Sequence, residues 1–181
     1  MIVCLLVSAF GATSKTIEKN NVKYQDTLGA GKFLREVSID YAWEFILAKK
    51  AKTTSKISKI REYATKVMGV CILANKDMQA FALKSGVTLA DSSSVPANIR
   101  KAILARNNAR SFDKNYLAAA ISSHQIIIAK YEKAVLFTDT AISNMAKKHL
   151  LSLRRSLEMA KYFSKNIKNG KLITESPPKS E

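Results

Sequence analysis

Four residues with ligating or nucleophilic side chains fall near the middle of four apolar stripes: Glu44, Cys71, His124 and Ser156. In an antiparallel helical bundle the helix midpoints meet at one level, and bundle metal sites are built there from Glu and His on facing helices. Glu and neutral His are good ligands for zinc or iron, and a thiolate suits zinc. Glu44, Cys71 and His124 are therefore candidate ligands for one zinc or iron ion. The same residues also suit a plain polar core, in which a buried Glu is satisfied by His and a buried Cys packs as a small hydrophobe. Neither histidine has a carboxylate three residues before it, so the Glu-x-x-His pair of a di-iron bundle is absent. His149 lies one heptad before Ser156 on the same stripe and is expected to be structural.

Nucleophilic catalysis finds little to work with. Ser122, Ser123 and His124 are neighbours in sequence, but a helix turns each residue by about 100 degrees, so Ser123 and His124 point apart. No Gly-x-Ser-x-Gly elbow, phosphate-binding loop or dinucleotide fingerprint occurs. No catalytic residue is assigned, and an enzyme is not expected.

Charge is the loudest signal. The chain of 181 residues carries 30 Lys+Arg against 14 Asp+Glu, a net charge of +16. Between Ala141 and Lys171 stand eight basic residues and one acid, Glu158. Lys147, Arg154, Lys161 and Lys168 recur every seven residues, with Lys148 and Arg155 beside them, which places all six on one cationic ridge of a helix. A second cluster holds five lysines from Lys49 to Lys59, around a helix-helix turn. Such surfaces attract phosphates, anionic lipid or acidic polysaccharide. They also serve simply as solvated faces that keep a protein soluble. A nonspecific nucleic-acid binder is an alternative, although no zinc-finger spacing, RNA-binding sheet motif or helix-turn-helix supports it.

These residues need elements to hold them. A hydrophobic fraction of 47% excludes a mainly disordered chain, and nine Gly plus Pro are too few for a turn-rich β fold. No run of about 18 apolar residues exists, so no spanning helix is expected. Two cysteines cannot make a disulfide scaffold. Residues 1–12 are apolar or small and uncharged, with Val7-Ser8-Ala9 as a cleavage-like run and an abrupt polar turn after them. This reads as a signal-like leader without its basic region, and it implies export to the periplasm or beyond, with retention in the cytoplasm as the alternative. Cys4 would leave with the leader, and Cys71 would be the one remaining thiol.

Residues 13–30 read as a mobile polar arm, 31–168 as the helical domain and 169–181 as a disordered tail. Four long helices are expected, near Lys32–Lys52, Lys56–Ser85, Phe112–Phe137 and Ala141–Lys168, with a short extra one near Asn98–Arg106. Ser55, then Ser111 or Asp113, then Asp139 or Thr140 offer N-caps, and Gly86 ends the second helix. The inward series of the first helix is Leu34, Val37, Tyr41, Glu44, Ala48, Ala51. That of the second is Ile57, Ile60, Ala64, Val67, Cys71, Ala74, Met78, Phe81. Alternating steps of three and four residues belong to helices crossing at shallow angles. The expected fold class is all-α, an antiparallel four-helix bundle.

Several segments in this order resemble a known family. They are Phe33, Leu47-Ala48-Lys49-Lys50-Ala51 after Glu44, and Ile60-Arg61-Glu62-Tyr63-Ala64. Then come Ala74-Asn75, Phe81-Ala82-Leu83-Lys84-Ser85-Gly86-Val87-Thr88-Leu89, Phe112-Asp113-Lys114-Asn115-Tyr116 and Leu157-Glu158-Met159-Ala160. The pattern from Gly31 to Phe163 resembles the domain-of-unknown-function family 4142, exported bacterial proteins expected to be ferritin-like bundles. The resemblance implies an Asp-His pair in each middle helix and a histidine in the last. This chain has Val70-Cys71, Ser123-His124 and Ser156 there. Any metal site of the family is thus lost or altered, and the family brings no settled activity. The expected function is an exported, non-catalytic bundle of the cell envelope that meets an anionic partner. A degenerate ferritin-like metal or redox protein is the alternative.

Overall fold

Apolar residues at three- and four-residue steps give each of four helices one face to bury, and these faces make the core. The computed structural model describes residues 11–97 and 112–173, with side chains from residue 29 onward. Helix α1 spans Gly11–Thr54, α2 Ser58–Lys84, α3 Phe112–Ala134 and α4 Thr140–Asn166. A two-stranded antiparallel hairpin follows, with β1 at Ile167–Lys168 and β2 at Lys171–Leu172. All six inward residues named for α1 are 2% exposed or less. On α2 the buried set is Ile60, Tyr63, Ala64, Val67, Cys71, Ala74, Met78 and Ala82, so the series holds except at its ends. Tyr63 and Ala82 are the additions, and Ile57 and Phe81 are half-buried.

Three pairs of contacts fix the topology. Phe33, at the middle of α1, meets Tyr131 and Phe137, with ring centroids 5.2 and 5.9 Å apart, so the middle of α1 is level with the end of α3. Tyr63, near the start of α2, meets Tyr116 near the start of α3 and Phe163 near the end of α4, at 6.1 and 5.8 Å. Asp77, near the end of α2, bonds Lys148 and His149 near the start of α4. Helices α1 and α4 therefore run one way, and α2 and α3 the other. Because α1 packs on α2 and α3, and α4 on α3 and α2, every packed pair is antiparallel. This is the up-down-down-up order with one long crossover that ferritin-like bundles use. The end of α2 and the start of α3 lie at opposite ends of the bundle. The short helix expected near Asn98–Arg106 lies outside the described residues, as do residues 1–10 of the leader-like stretch 1–12, whose last two residues open α1, and residues 174–181.

Local chemistry sets the ends. Asp139 is the N-cap of α4, its carboxylate accepting the N–H groups of Ala141 and Ile142 at 3.0 and 3.2 Å. Such a cap stabilises a helix by about 1 kcal/mol. Gly86 takes φ of +63° just past α2, where the Val87 N–H reaches the Ala82 carbonyl at 2.9 Å. That is a left-handed glycine stop, open to glycine and strained for other residues. Ser55 does not cap α2 directly. Its Oγ accepts the Ile57 N–H at 3.1 Å, shaping the turn, and the helix starts at Ser58 behind Ile57.

Two boundaries differ from the sequence reading. The polar stretch read as an arm at 13–30 belongs to α1, which begins at Gly11. It lacks an apolar period but also lacks proline, and its glycines cost a helix only about 1 kcal/mol each. The tail read as disordered from 169 is ordered to residue 173. Asn169 and Gly170 take φ of +51° and +72°, the pair of left-handed residues that a tight type I′ hairpin requires, so they close a hairpin.

Candidate functional site

At mid-height the bundle interior turns polar. Glu44 from α1 and His124 from α3 are 1% and 0% exposed, and Glu44 Oε1 lies 2.7 Å from His124 Nδ1. The approach is close, but the oxygen stands off the line of a hydrogen bond, so each atom lacks an aligned partner. On the far side of the ring, His124 Nε2 lies 2.8 Å from the Tyr63 hydroxyl. A carboxylate beside Nδ1 favours the proton there, which leaves Nε2 to accept from Tyr63. That hydroxyl has one proton, and the Ser156 carbonyl, 3.2 Å away, shares it with Nε2 as a longer second acceptor. Cys71 Sγ donates to Glu44 Oε2 at 3.8 Å. Burial, and then the Glu44 charge, push the Cys71 thiol well above its ordinary pKa. Burial does the same to the Tyr63 hydroxyl.

The structure thus brings Glu44, Cys71 and His124 together, and Ser156 enters through its carbonyl rather than its side chain. As the residues stand, both nitrogens of His124 are faced by other groups. An ion would have to displace Tyr63 from Nε2 or part Glu44 from Nδ1. Among the described residues, no three of His, Cys, Asp and Glu stand together so as to hold a metal ion. The arrangement is that of a buried polar core. Tyr63 completes it and was missed in the sequence. Its signal was its place three residues after Ile60 on the apolar arc, where a tyrosine carries a polar tip inward. Tyr41, Tyr116 and Tyr131 bring further buried hydroxyls without an aligned hydrogen bond.

A crevice of about 230 Å³ reaches toward this level from the surface between α1 and α2, lined by Ser38, Tyr41, Phe45, Cys71, Asn75 and Asp91 among others. Ser38 holds the loop over it, accepting the Ala90 N–H at 2.9 Å and donating to the Arg35 carbonyl at 2.8 Å.

His149 is structural, as expected. It is 2% exposed, and its Nε2 donates to Asp77 Oδ2 at 3.0 Å, an oxygen that also accepts from Lys148 at 2.7 Å. Burial pulls the His149 pKa below its ordinary value, against the attraction of Asp77. The Lys148 hydrogen bond, foremost, lowers that of Asp77. A histidine with a depressed folded pKa contributes stability above its unfolded pKa of about 6.5, and loses it as pH falls through the folded pKa. Asp77 loses its share only at more acid pH, below about 4. Stability is therefore expected to fall as pH drops below about 6.5, and His149→Gln should flatten that part of the curve. Thermal unfolding across this range checks it. Equal slopes in the two proteins would refute the assignment.

The cationic ridge lies outside. Lys147, Lys148, Arg154, Arg155, Lys161 and Lys168 are all exposed. Lys148 pairs with Asp77, Arg154 with Glu132 at 2.9 Å and Lys161 with Glu158 at 2.8 Å. Exposed pairs of this kind are worth about 0–1 kcal/mol and open readily. Leu151, 56% exposed, sits among these charges.

Among the described residues no helix is long and apolar enough to cross a membrane. No curated protein and no solved structure matches the chain. A family model does match, over residues 18–163, so the match begins within α1 ahead of Gly31 and runs through most of α4. With that span, and with the bundle and its mid-level polar residues in place, the chain belongs to the family described as Domain of unknown function (DUF4142).

Proposed function

We propose that this protein is an exported, non-catalytic helical bundle of the bacterial cell envelope that binds an anionic partner through the cationic face of α4. The observation that carries the reading is the exposure of five ridge residues, Lys147, Lys148, Arg154, Arg155 and Lys161, on one face of α4, with the exposed Lys168 following in β1, where the helix was expected to continue. Heptad spacing sets them about 10.5 Å apart along the axis, a regular track for negative charge. The leader-like residues 1–12 support export. The groups with chemistry to offer, Glu44, Cys71, His124 and Tyr63, are buried and engaged with one another, which supports a structural role for them.

Heparin chromatography tests the face. The wild type should be retained to higher salt than Lys147→Gln/Arg154→Gln/Lys161→Gln/Lys168→Gln, and identical elution would remove the ridge from the reading. Cell fractionation tests the compartment, and a cytosolic protein that keeps residues 1–12 would overturn export. The second reading is a degenerate ferritin-like metal or redox protein, favoured by the unaligned Glu44 Oε1 and His124 Nδ1. Elemental analysis beside His124→Ala decides it. Near-stoichiometric zinc or iron, lost in the variant, would displace the non-catalytic reading.

A further inference from the structure

The two basic clusters are far apart in sequence, and the fold joins them. Tyr63 and Phe163 touch, so the stretch before Tyr63 on α2 and the stretch after Phe163 on α4 project toward the same end of the bundle. That end holds the α1–α2 turn and the β-hairpin. Residues 49–61 bring five lysines and Arg61 to it, and residues 161–171 bring four lysines, all exposed or half-buried. Its only neighbouring exposed carboxylates among the described residues, Glu62 and Glu158, are each already paired, with Lys59 and Lys161. The opposite end is different. Glu36, Asp40, Asp77, Glu132 and Asp139 are interspersed there with its bases, and Lys130 and Lys148 are tied to Asp40 and Asp77. The excess charge of the described chain is thus gathered at one end of the rod.

We infer that this end is a docking surface for an anionic lipid bilayer, with the lysines of the α1–α2 turn and of the hairpin meeting the headgroups. The inference rests on the reading above that the partner is anionic, and it names that partner. Three features favour a bilayer over a polymer. The charges come from separate segments and cover an end, rather than following one groove. Nine of the ten bases are lysines, point charges suited to a diffuse negative surface, whereas Arg supplies the planar fork that fixes individual phosphates. Of the rings at this level, Tyr63 and Phe163 are buried and Tyr162 is half-buried with its ring against Phe163, so no open row of aromatic faces is offered for bases to stack on. Ile173, 53% exposed beside the hairpin, adds an apolar contact at the headgroup boundary.

Vesicle cosedimentation of the full chain tests this. Vesicles of phosphatidylglycerol with phosphatidylcholine should bind it, and phosphatidylcholine alone should not. Each lysine near an anionic surface is worth roughly fivefold in binding, so Lys52→Gln/Lys56→Gln/Lys171→Gln should bind about a hundredfold more weakly. A control with the same charge loss at the other end, Lys76→Gln/Lys84→Gln/Lys133→Gln, should stay within about threefold. Circular dichroism confirms that both variants remain helical. Equal loss in the two variants would overturn the inference, because net charge alone would then be acting. Heparin or duplex DNA bound by the wild type while vesicles are not would overturn the bilayer and leave the anionic partner standing. Binding to none of these at low salt would overturn both.

Discussion

His124→Leu is expected to lower the unfolding free energy by about 3–5 kcal/mol, the largest loss of any single substitution argued for this protein. Leucine is close to histidine in size, so no large void opens. The loss comes from what remains behind. Glu44, 1% exposed, would keep a carboxylate in the core with only the Cys71 thiol beside it, and the Tyr63 hydroxyl would lose the ring nitrogen 2.8 Å away. Stranding a buried charge costs more than the pair contributes, because the penalty of dehydration stays while the attraction goes. The companion Glu44→Leu/His124→Leu should therefore recover most of the loss, ending within about 1–2 kcal/mol of the wild type. Urea unfolding of the two singles and the double gives the coupling directly. Additive losses would mean that the 2.7 Å approach carries no energy, and that each residue is held by something else.

This polar level was partly legible in the sequence. The stripes placed Glu44, Cys71 and His124 near one height because helical spacing is strict and the helices are antiparallel. What they do to one another was not legible, since a stripe gives a direction and not a distance. Ser156 shows the limit: its position on the stripe was right in height, but a rotation of the helix leaves it half-buried and presents its carbonyl to Tyr63. The Asp77–His149 bond was invisible for a similar reason. Asp77 sits off the α2 stripe, and only the pairing of the end of α2 with the start of α4 brings them together. The same holds for the two lysine clusters, which are separate features until the topology stacks them. The hairpin at 167–172 was hidden by its brevity, since two-residue strands carry no alternation to detect.

Cys71 gives the second large effect. In the native protein its modification by a maleimide is expected to be at least about a thousandfold slower than in urea. Two causes act together. The thiol is 3% exposed although a crevice approaches it, and burial together with the Glu44 carboxylate disfavours the reactive thiolate. Removing only the charge, with Glu44→Gln, should leave native labelling slow, because burial is the larger cause. If reaction requires opening of the bundle, the labelling rate follows the population of open molecules. His124→Leu, costing about 4 kcal/mol, should then raise the rate by roughly a thousandfold, and the double variant with Glu44→Leu should return it most of the way. Rapid labelling of the wild type, unchanged by His124→Leu, would show that the reagent enters through the crevice lined by Tyr41, Asn75 and Asp91. The thiol would then be a site open to small molecules, and the core would have to be read for redox chemistry rather than for stability.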